Sequence, residues 1–433
     1  MRTMKERFLI KGLAGKKTLS GSIAVRGGKN EVLSLMAAAL LIKAPIEFDN
    51  VPEIEDIKRI GELYAHLGVT FTKSAKDKYL IDASVISNGN LDKEIAKRFR
   101  ASIVLAGPLL ARLGHVSFPH PGGDVIGERP IDIFLDGFQK MGAVISERDG
   151  SYCLVIKEKK LQGMEYFFKI ISVTATKTFM MAAVLAEGTT VLRNAAMEPD
   201  VATLAELLTL FGAKITGAGT PTIIIEGGEL SNVPQFFTIP PDRLETGSFL
   251  ILGALAADTL EITHCRPSEV MILVDMLTRS GVPITVNKDS ILIKGNGKIK
   301  NHDLLGMNVR THEYPGFPTD LQAPMTVYLS QVKGESLVFE TVFEGRLNYV
   351  HDLVRMGADI AMWNPHQVMV RGPKSLIGHE LESPDIRAGL AYVIAAIVAK
   401  GDSVINNVYH IDRGYEEIEK RFRAIGVDIE RVK

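Results

Sequence analysis

A short tag recurs six times along the chain, and it limits the folds open to it. The tag reads Leu67-Gly-Val69, Met141-Gly-Ala143, Phe211-Gly-Ala213, Ser280-Gly-Val282, Met356-Gly-Ala358 and Ile425-Gly-Val427. Its glycines stand 74, 70, 69, 76 and 69 residues apart, so six units of similar length account for all 433 residues. Glycine just past a helix end takes the left-handed conformation that closes the last turn. Alternating residues follow each tag, as in Val69-Thr-Phe-Thr72 and Ala143-Val-Ile-Ser146, which predicts a strand. In five units a turn and a second alternating strand come next, such as Tyr152-Cys-Leu-Val-Ile156.

The other half of each unit holds a helix that is apolar almost all round. Examples are Leu33-Ser-Leu-Met-Ala-Ala-Ala-Leu-Leu41 and Phe179-Met-Met-Ala-Ala-Val-Leu185. A helix with no polar face belongs inside a domain. The pattern therefore predicts an α/β protein of β-α-β-α-β-β units around buried helices, and size predicts two domains of three units each. Two stretches, Phe8–Gly12 and Gly21–Val25, precede the first buried helix. Both are expected to complete the truncated sixth unit. The chain then crosses between domains twice, near Arg26–Lys29 and near Val233–Ile239. The expected division is residues 1–28 plus 236–433 against an inserted domain, 29–235, that carries a loop at 119–130.

Charge and cysteine content narrow the partners. The 50 basic residues balance 51 acidic ones, which argues against nucleic acid or an anionic membrane as the main partner. Cys153 and Cys265 stand far apart without metal-ligand spacing, so they are read as core thiols. The longest apolar run, Ala388 to Ala399, is too short for a bilayer, which takes about 20 residues. The start of the chain lacks the apolar stretch of a secretory signal. A soluble, cytoplasmic protein is expected.

Some residues are not explained by the repeat. The loop Pro121-Gly-Gly-Asp124-Val-Ile-Gly127-Glu-Arg129-Pro130 excludes a helix or a central strand. It suits a lid that delivers a proton from Asp124 and grips an anion with Arg129, or a surface turn with two incidental charges. Lys29 and Asn30 open the first buried helix, where anions are favoured. Arg100 opens the second. Asp320 precedes the fifth and Asp385-Ile-Arg387 opens the sixth. Arg346 and Arg413 lie nearby in the repeat. Singly, an arginine is more often a surface ion pair. At equivalent, converging helix ends, such a set fits a polyanion, since arginine forks suit phosphates and carboxylates.

The chain resembles the enolpyruvyl transferases over essentially its whole length. The resemblance rests on Gly28-Lys-Asn30, Arg100-Ala-Ser-Ile103, the loop Pro121–Pro130, Leu185-Ala-Glu-Gly-Thr-Thr190, Asp242-Arg-Leu-Glu-Thr-Gly247, Phe317-Pro-Thr-Asp-Leu-Gln322, Thr341-Val-Phe-Glu-Gly-Arg346 and His410-Ile-Asp-Arg-Gly-Tyr-Glu416. It is closest to the members that act on a nucleotide sugar. It implies two inside-out α/β domains. It also implies transfer of the enolpyruvyl group of phosphoenolpyruvate to the 3-hydroxyl of UDP-N-acetylglucosamine, the first committed step of peptidoglycan synthesis. Addition precedes elimination, and phosphate leaves. No metal or organic cofactor is implied, and a monomer is expected.

The resemblance also implies roles. Asp124 is the acid and Asp320 the base. Lys29, Arg129 and Arg413 surround phosphoenolpyruvate, with Arg346, Asp385 and Arg387 alongside, and Asn30 contacts the substrates. Arg100 faces the nucleotide diphosphate. Arg129, Pro130, Ile131, Asp132 and Ile133 face the uridine, and Ser172, Val173 and Val342 line the nucleotide sugar. Two departures stand out. Most relatives carry cysteine where this chain has Asp124, which implies resistance to fosfomycin, a thiol alkylator. A free aspartate ionises near ~3.9, so substrate anions and lid closure are expected to raise the pKa of Asp124. The second departure is Ile170-Ile-Ser-Val-Thr174, where relatives often begin with lysine and end with glycine. It leaves open another uridine-nucleotide acceptor, or a catalytically silent paralogue that binds a nucleotide sugar.

Overall fold

A computed structural model describes residues 6–122, 126–127, 129–295 and 300–433; Asp124 lies outside the described residues. They form two compact units. One holds residues 6–26, 126–127 and 241–433, and the other residues 27–122 and 129–240. Each is an inside-out α/β domain, with apolar helices in the middle and sheets around them.

In the unit of residues 27–240 the buried helices are Lys29–Ala39, the 3-10 turn Arg100–Leu105 running into Ala106–Leu113, and Val173–Ala183. They pack on one another. Ten of the eleven residues of Lys29–Ala39 are buried, so it has no solvent face. The first sheet runs Gln235–Thr238, Pro45–Asp49, Lys78–Asp82, Thr70–Ala75. Another runs Glu165–Phe167, Thr189–Arg193, Thr222–Glu226, Lys214–Thr216. A third has only His115–Pro119, Ser151–Ile156 and Ala143–Arg148. There a single parallel bridge, Asn90 to Ser117, stands in place of a fourth strand.

In the other unit the buried helices are Arg243–Ala256, Gln322–Gln331 and Ile386–Val398. Its sheets obey the same rule. The strand before a buried helix pairs parallel with the strand after it, and in two of the three sheets a hairpin completes the sheet antiparallel. Glycine ends the outer helices as the tag requires: Gly68, Gly142, Gly212, Gly281, Gly357 and Gly426 have φ of 78°, 93°, 96°, 105°, 103° and 101°.

The sixth sheet is finished by Arg7–Lys11, which lies antiparallel between Asp402–Asn406 and Asp428–Val432. The second N-terminal stretch does not join it. Leu19–Ala24 pairs parallel with Ala257–Thr263, with Ile23 opposite Ile262. The helix Arg243–Ala256 follows directly on residue 241, so residues 27–240 interrupt a β-α-β whose first strand is Leu19–Ala24. Of the cysteines, Cys265 is buried but Cys153 is half-buried, its thiol 3.5 Å from the Ser117 hydroxyl on an outer sheet. No helix among the described residues is long and apolar enough to cross a membrane.

Candidate functional site

The polar residues cluster at the N-termini of the buried helices. In the unit of residues 241–433, Asp242 caps Arg243–Ala256 by accepting from the Leu244 and Glu245 amides at 2.7 and 3.2 Å. Asp385 caps Ile386–Val398 in the same way, accepting from Arg387 N at 2.7 Å and Ala388 N at 2.9 Å. These caps fix where the following arginines start. Asp320 sits on the 3-10 turn Thr319–Leu321 that leads into Gln322–Gln331.

Asp320 is shared by two arginines. Arg346 Nη2 lies 2.8 Å from Oδ1, and Arg387 Nε donates to Oδ2 at 2.9 Å. Arg387 Nη1 also donates to the Tyr415 hydroxyl at 2.8 Å, and its guanidinium lies over the Tyr415 ring. Both arginine side chains are almost fully buried, while about a quarter (24%) of the Asp320 side chain remains open. Burial pushes the Asp320 carboxyl up. Arg346, Arg387 and, further down, Arg243 outweigh it and hold the group well below the usual carboxylate range. Burial likewise works against the Arg387 charge, but Tyr415, Asp320 and Asp242 push its pKa up.

Arg346 and Arg413 lie on turns rather than at the starts of buried helices. Arg346 lies on the turn between the strand Gly334–Phe339 and the helix Val350–Arg355. Arg413 is buried just past the short helix Tyr409–Asp412, which packs on Ile386–Val398. Val342, half-buried on the same turn as Arg346, donates its amide to Glu340 at 2.8 Å. Ile126 and Gly127 belong to this unit as well. The Ile126 carbonyl accepts from Gly345 N at 3.0 Å. Gly127 has φ 141°, a backbone conformation that residues with a side chain rarely adopt.

In the unit of residues 27–240, Lys29 forms a buried ion pair with Asp56 at 2.8 Å. Asn30 beside it is exposed, and its carbonyl accepts from Lys177 Nζ at 3.0 Å. Arg100 donates from Nη2 to the Arg129 carbonyl and, at 3.4 Å, to the Pro130 carbonyl. Burial, and then the charge of Arg129, pull the Arg100 pKa down to about 10. Ile131 is buried ahead of the helix Asp132–Lys140, Ile133 is half-buried, and Pro130 and Asp132 are exposed. Ser172 caps Val173–Ala183, its hydroxyl accepting from Ala175 N at 3.2 Å, and Val173 is half-buried. Ile170 is 75% exposed at the same helix start.

The structure thus brings Asp320, Arg346 and Arg387 together in one unit, and Arg100 with Arg129 in the other. Sequence reasoning missed Asp56, Lys177 with its partner Asp200, Arg243, Thr319, Glu340 and Tyr415. Lys177 carried a signal, because a lysine in an otherwise apolar buried helix must be paired. Among the described residues, no group of three or more His, Cys, Asp or Glu could hold a metal ion.

The family model described as EPSP synthase (3-phosphoshikimate 1-carboxyvinyltransferase) matches residues 13–422. The chain is 40% identical over 421 residues to a UDP-N-acetylglucosamine 1-carboxyvinyltransferase of Desulforapulum autotrophicum, covering 97% of this chain and 99% of the relative. It is 41% identical over 431 residues to the enzyme of that name from Acidobacterium capsulatum, covering 99% and 96%. Among solved structures, the enolpyruvyl transferase NikO from Streptomyces tendae superposes with a TM-score of 0.86 at 24% identity, covering 99% of each chain. An EPSP synthase from Acinetobacter baumannii superposes with a TM-score of 0.73 at 18% identity, covering 99% and 100%. A match that runs nearly from end to end, on a shared fold, leaves one conclusion: the chain belongs to the EPSP synthase family of carboxyvinyltransferases.

Proposed function

We propose that this chain transfers the enolpyruvyl group of phosphoenolpyruvate to the 3-hydroxyl of UDP-N-acetylglucosamine and releases phosphate. The observation that carries this is the Arg346–Asp320–Arg387 cluster, a carboxylate about a quarter open between two buried guanidiniums, in a chain about 40% identical to enzymes of that name. The two compact units are read as the discontinuous domain and the inserted domain.

The chemistry needs a base, an acid and cations. In the addition step the sugar hydroxyl oxygen bonds to C2 of phosphoenolpyruvate. Its proton passes to Asp320 while Asp124 protonates C3. In the elimination step C3 returns a proton to the Asp124 carboxylate, the bond from C2 to the phosphate oxygen breaks, and inorganic phosphate leaves with the proton that Asp320 had taken. Lys29, Arg129 and Arg413 take the phosphoenolpyruvate anion, with Arg346, Asp385 and Arg387 alongside. Arg100 takes the diphosphate, and Asn30, Ser172, Val173, Val342 and residues 129–133 take the nucleotide sugar. With both arginines on it, Asp320 is a weak base. Substrate anions that draw Arg346 or Arg387 away raise its basicity when it is needed.

The test is phosphate release from phosphoenolpyruvate with and without UDP-N-acetylglucosamine. Release that depends on the acceptor supports the reading. Tight nucleotide-sugar binding without release points to a silent paralogue. Release only with another uridine nucleotide moves the acceptor, as the exposed Ile170 in the nucleotide segment would allow.

A further inference from the structure

Behind the Asp320 cluster lies a second carboxylate that the mechanism above does not use. Glu340 follows directly on the strand Gly334–Phe339 and is fully buried. Four donors from three parts of the chain converge on it. Oε1 accepts from Thr311 Oγ1 at 3.0 Å, from Val342 N at 2.8 Å and from Phe343 N at 3.2 Å. Oε2 accepts from the Thr319 hydroxyl at 2.8 Å.

Thr319 is the link to the site. Its hydroxyl has one proton, which goes to Glu340, and that leaves its lone pairs facing Arg346. Arg346 Nη1 donates to Thr319 Oγ1 at 2.9 Å, while Nη2 of the same guanidinium lies 2.8 Å from Asp320 Oδ1. The planar fork of Arg346 is therefore set at two points, and one of them depends on which way the Thr319 proton turns. The same carboxylate closes the turn that carries Val342 and leads to Arg346, through the 342 and 343 amides. A carboxylate that only closed a turn would not need a hydroxyl from the residue next to Asp320.

We propose that Glu340 is a positioning residue for the Asp320–Arg346 pair, acting through the Thr319 hydroxyl. This rests on Asp320 and Arg346 serving the transfer reaction described above. Thr319→Val keeps three of the donors to Glu340 and removes the relay. It is expected to lower kcat/KM by about 100-fold, the scale of an ångström-sized misplacement in a site. Thr319→Ser restores the hydroxyl and the rate. Glu340→Gln puts an N–H where the hydroxyl must donate and reproduces the Thr319→Val loss. The double variant is no worse than either single one, because both break one chain of contacts.

The closing experiment pairs these kinetics with a carboxyl-carbon NMR titration of Asp320 in the substrate-free protein, which needs no turnover. With Arg346 released, Asp320 in Thr319→Val titrates at higher pH than in the wild type, and Thr319→Ser returns it. An unmoved titration, a melting-temperature loss alone, or multiplying losses in the double variant overturns the proposal. If the wild type transfers nothing, the functional reading has failed, and the titration still decides the positioning role.

Discussion

The Lys177 ammonium lies 2.6 Å from a carboxylate oxygen of Asp200 and 3.0 Å from the Asn30 carbonyl, so one side chain ties three helices together. Both partners are at least nine-tenths buried. Removing one partner of such a pair leaves an uncompensated charge and costs about 3–5 kcal/mol. Lys177→Met is expected to lose stability on that scale, measured by denaturant unfolding. Lys177→Met combined with Asp200→Leu is expected to recover most of it. A single variant as stable as the wild type would sink this account.

The field on Asp320 gives a pH prediction. Arg346, Arg387 and Arg243 hold the carboxyl below its ordinary range. Arg243 stacks on the Tyr314 ring with its guanidinium 5.6 Å from the centroid. Arg243→Gln removes positive charge, so the Asp320 pKa rises and the acid limb of the pH–rate profile moves to higher pH. High salt shrinks the difference if the effect is Coulombic. The stability sign follows. A depressed aspartate stabilises the fold above its unfolded value of about 3.9, and that stability is lost as pH falls through the folded value. The variant is expected to lose it at less acidic pH than the wild type.

Arg100 predicts the salt behaviour of nucleotide binding. Arg100→Gln is expected to weaken UDP binding by about 1.5–3 kcal/mol, the worth of a charged hydrogen bond. Added salt is expected to weaken wild-type binding more than binding by the variant, because the contact the variant lacks is between full charges. Calorimetric titration of both proteins against UDP checks this. Equal affinities would remove Arg100 from the site.

Asp124 makes a chemical prediction. Fosfomycin is expected to leave the intact mass of the wild type unchanged, since an alkylator of thiols finds a carboxylate at that position. Asp124→Cys is expected to gain the mass of the inhibitor. Asp124→Asn, which cannot give up a carboxyl proton, is expected to lose about 10²–10⁴ in rate, the usual weight of a general acid. An Asn variant as fast as the wild type would move the acid elsewhere.

The helix-ending glycines and the buried helices were legible because each is a local matter of turn geometry or periodicity. The strand Leu19–Ala24 was misplaced because its partner, Ala257–Thr263, lies beyond an insertion of some two hundred residues that no local signal measures. Asp320, Lys29, Arg100 and Arg387 stood out as charges at the starts of apolar helices. Thr319 and Glu340 did not, since a threonine in a turn and a glutamate after a strand look ordinary. The partners of Thr319 are 21 and 27 residues away, and only the folded chain brings its hydroxyl between carboxylate and guanidinium.

The place of Arg7–Lys11 between Asp402–Asn406 and Asp428–Val432 has a consequence for biosynthesis. A ribosome makes this strand long before either of its neighbours. Five sheets can pair before the sixth has its partners, so the strand waits with its apolar Phe8 and Ile10 unburied through almost the whole of translation. A permuted gene that begins at a surface turn and splices Arg7–Lys11 after Asp428–Val432 would deliver the three strands together. Its nascent chain should then be less exposed to proteases and chaperones than the natural order.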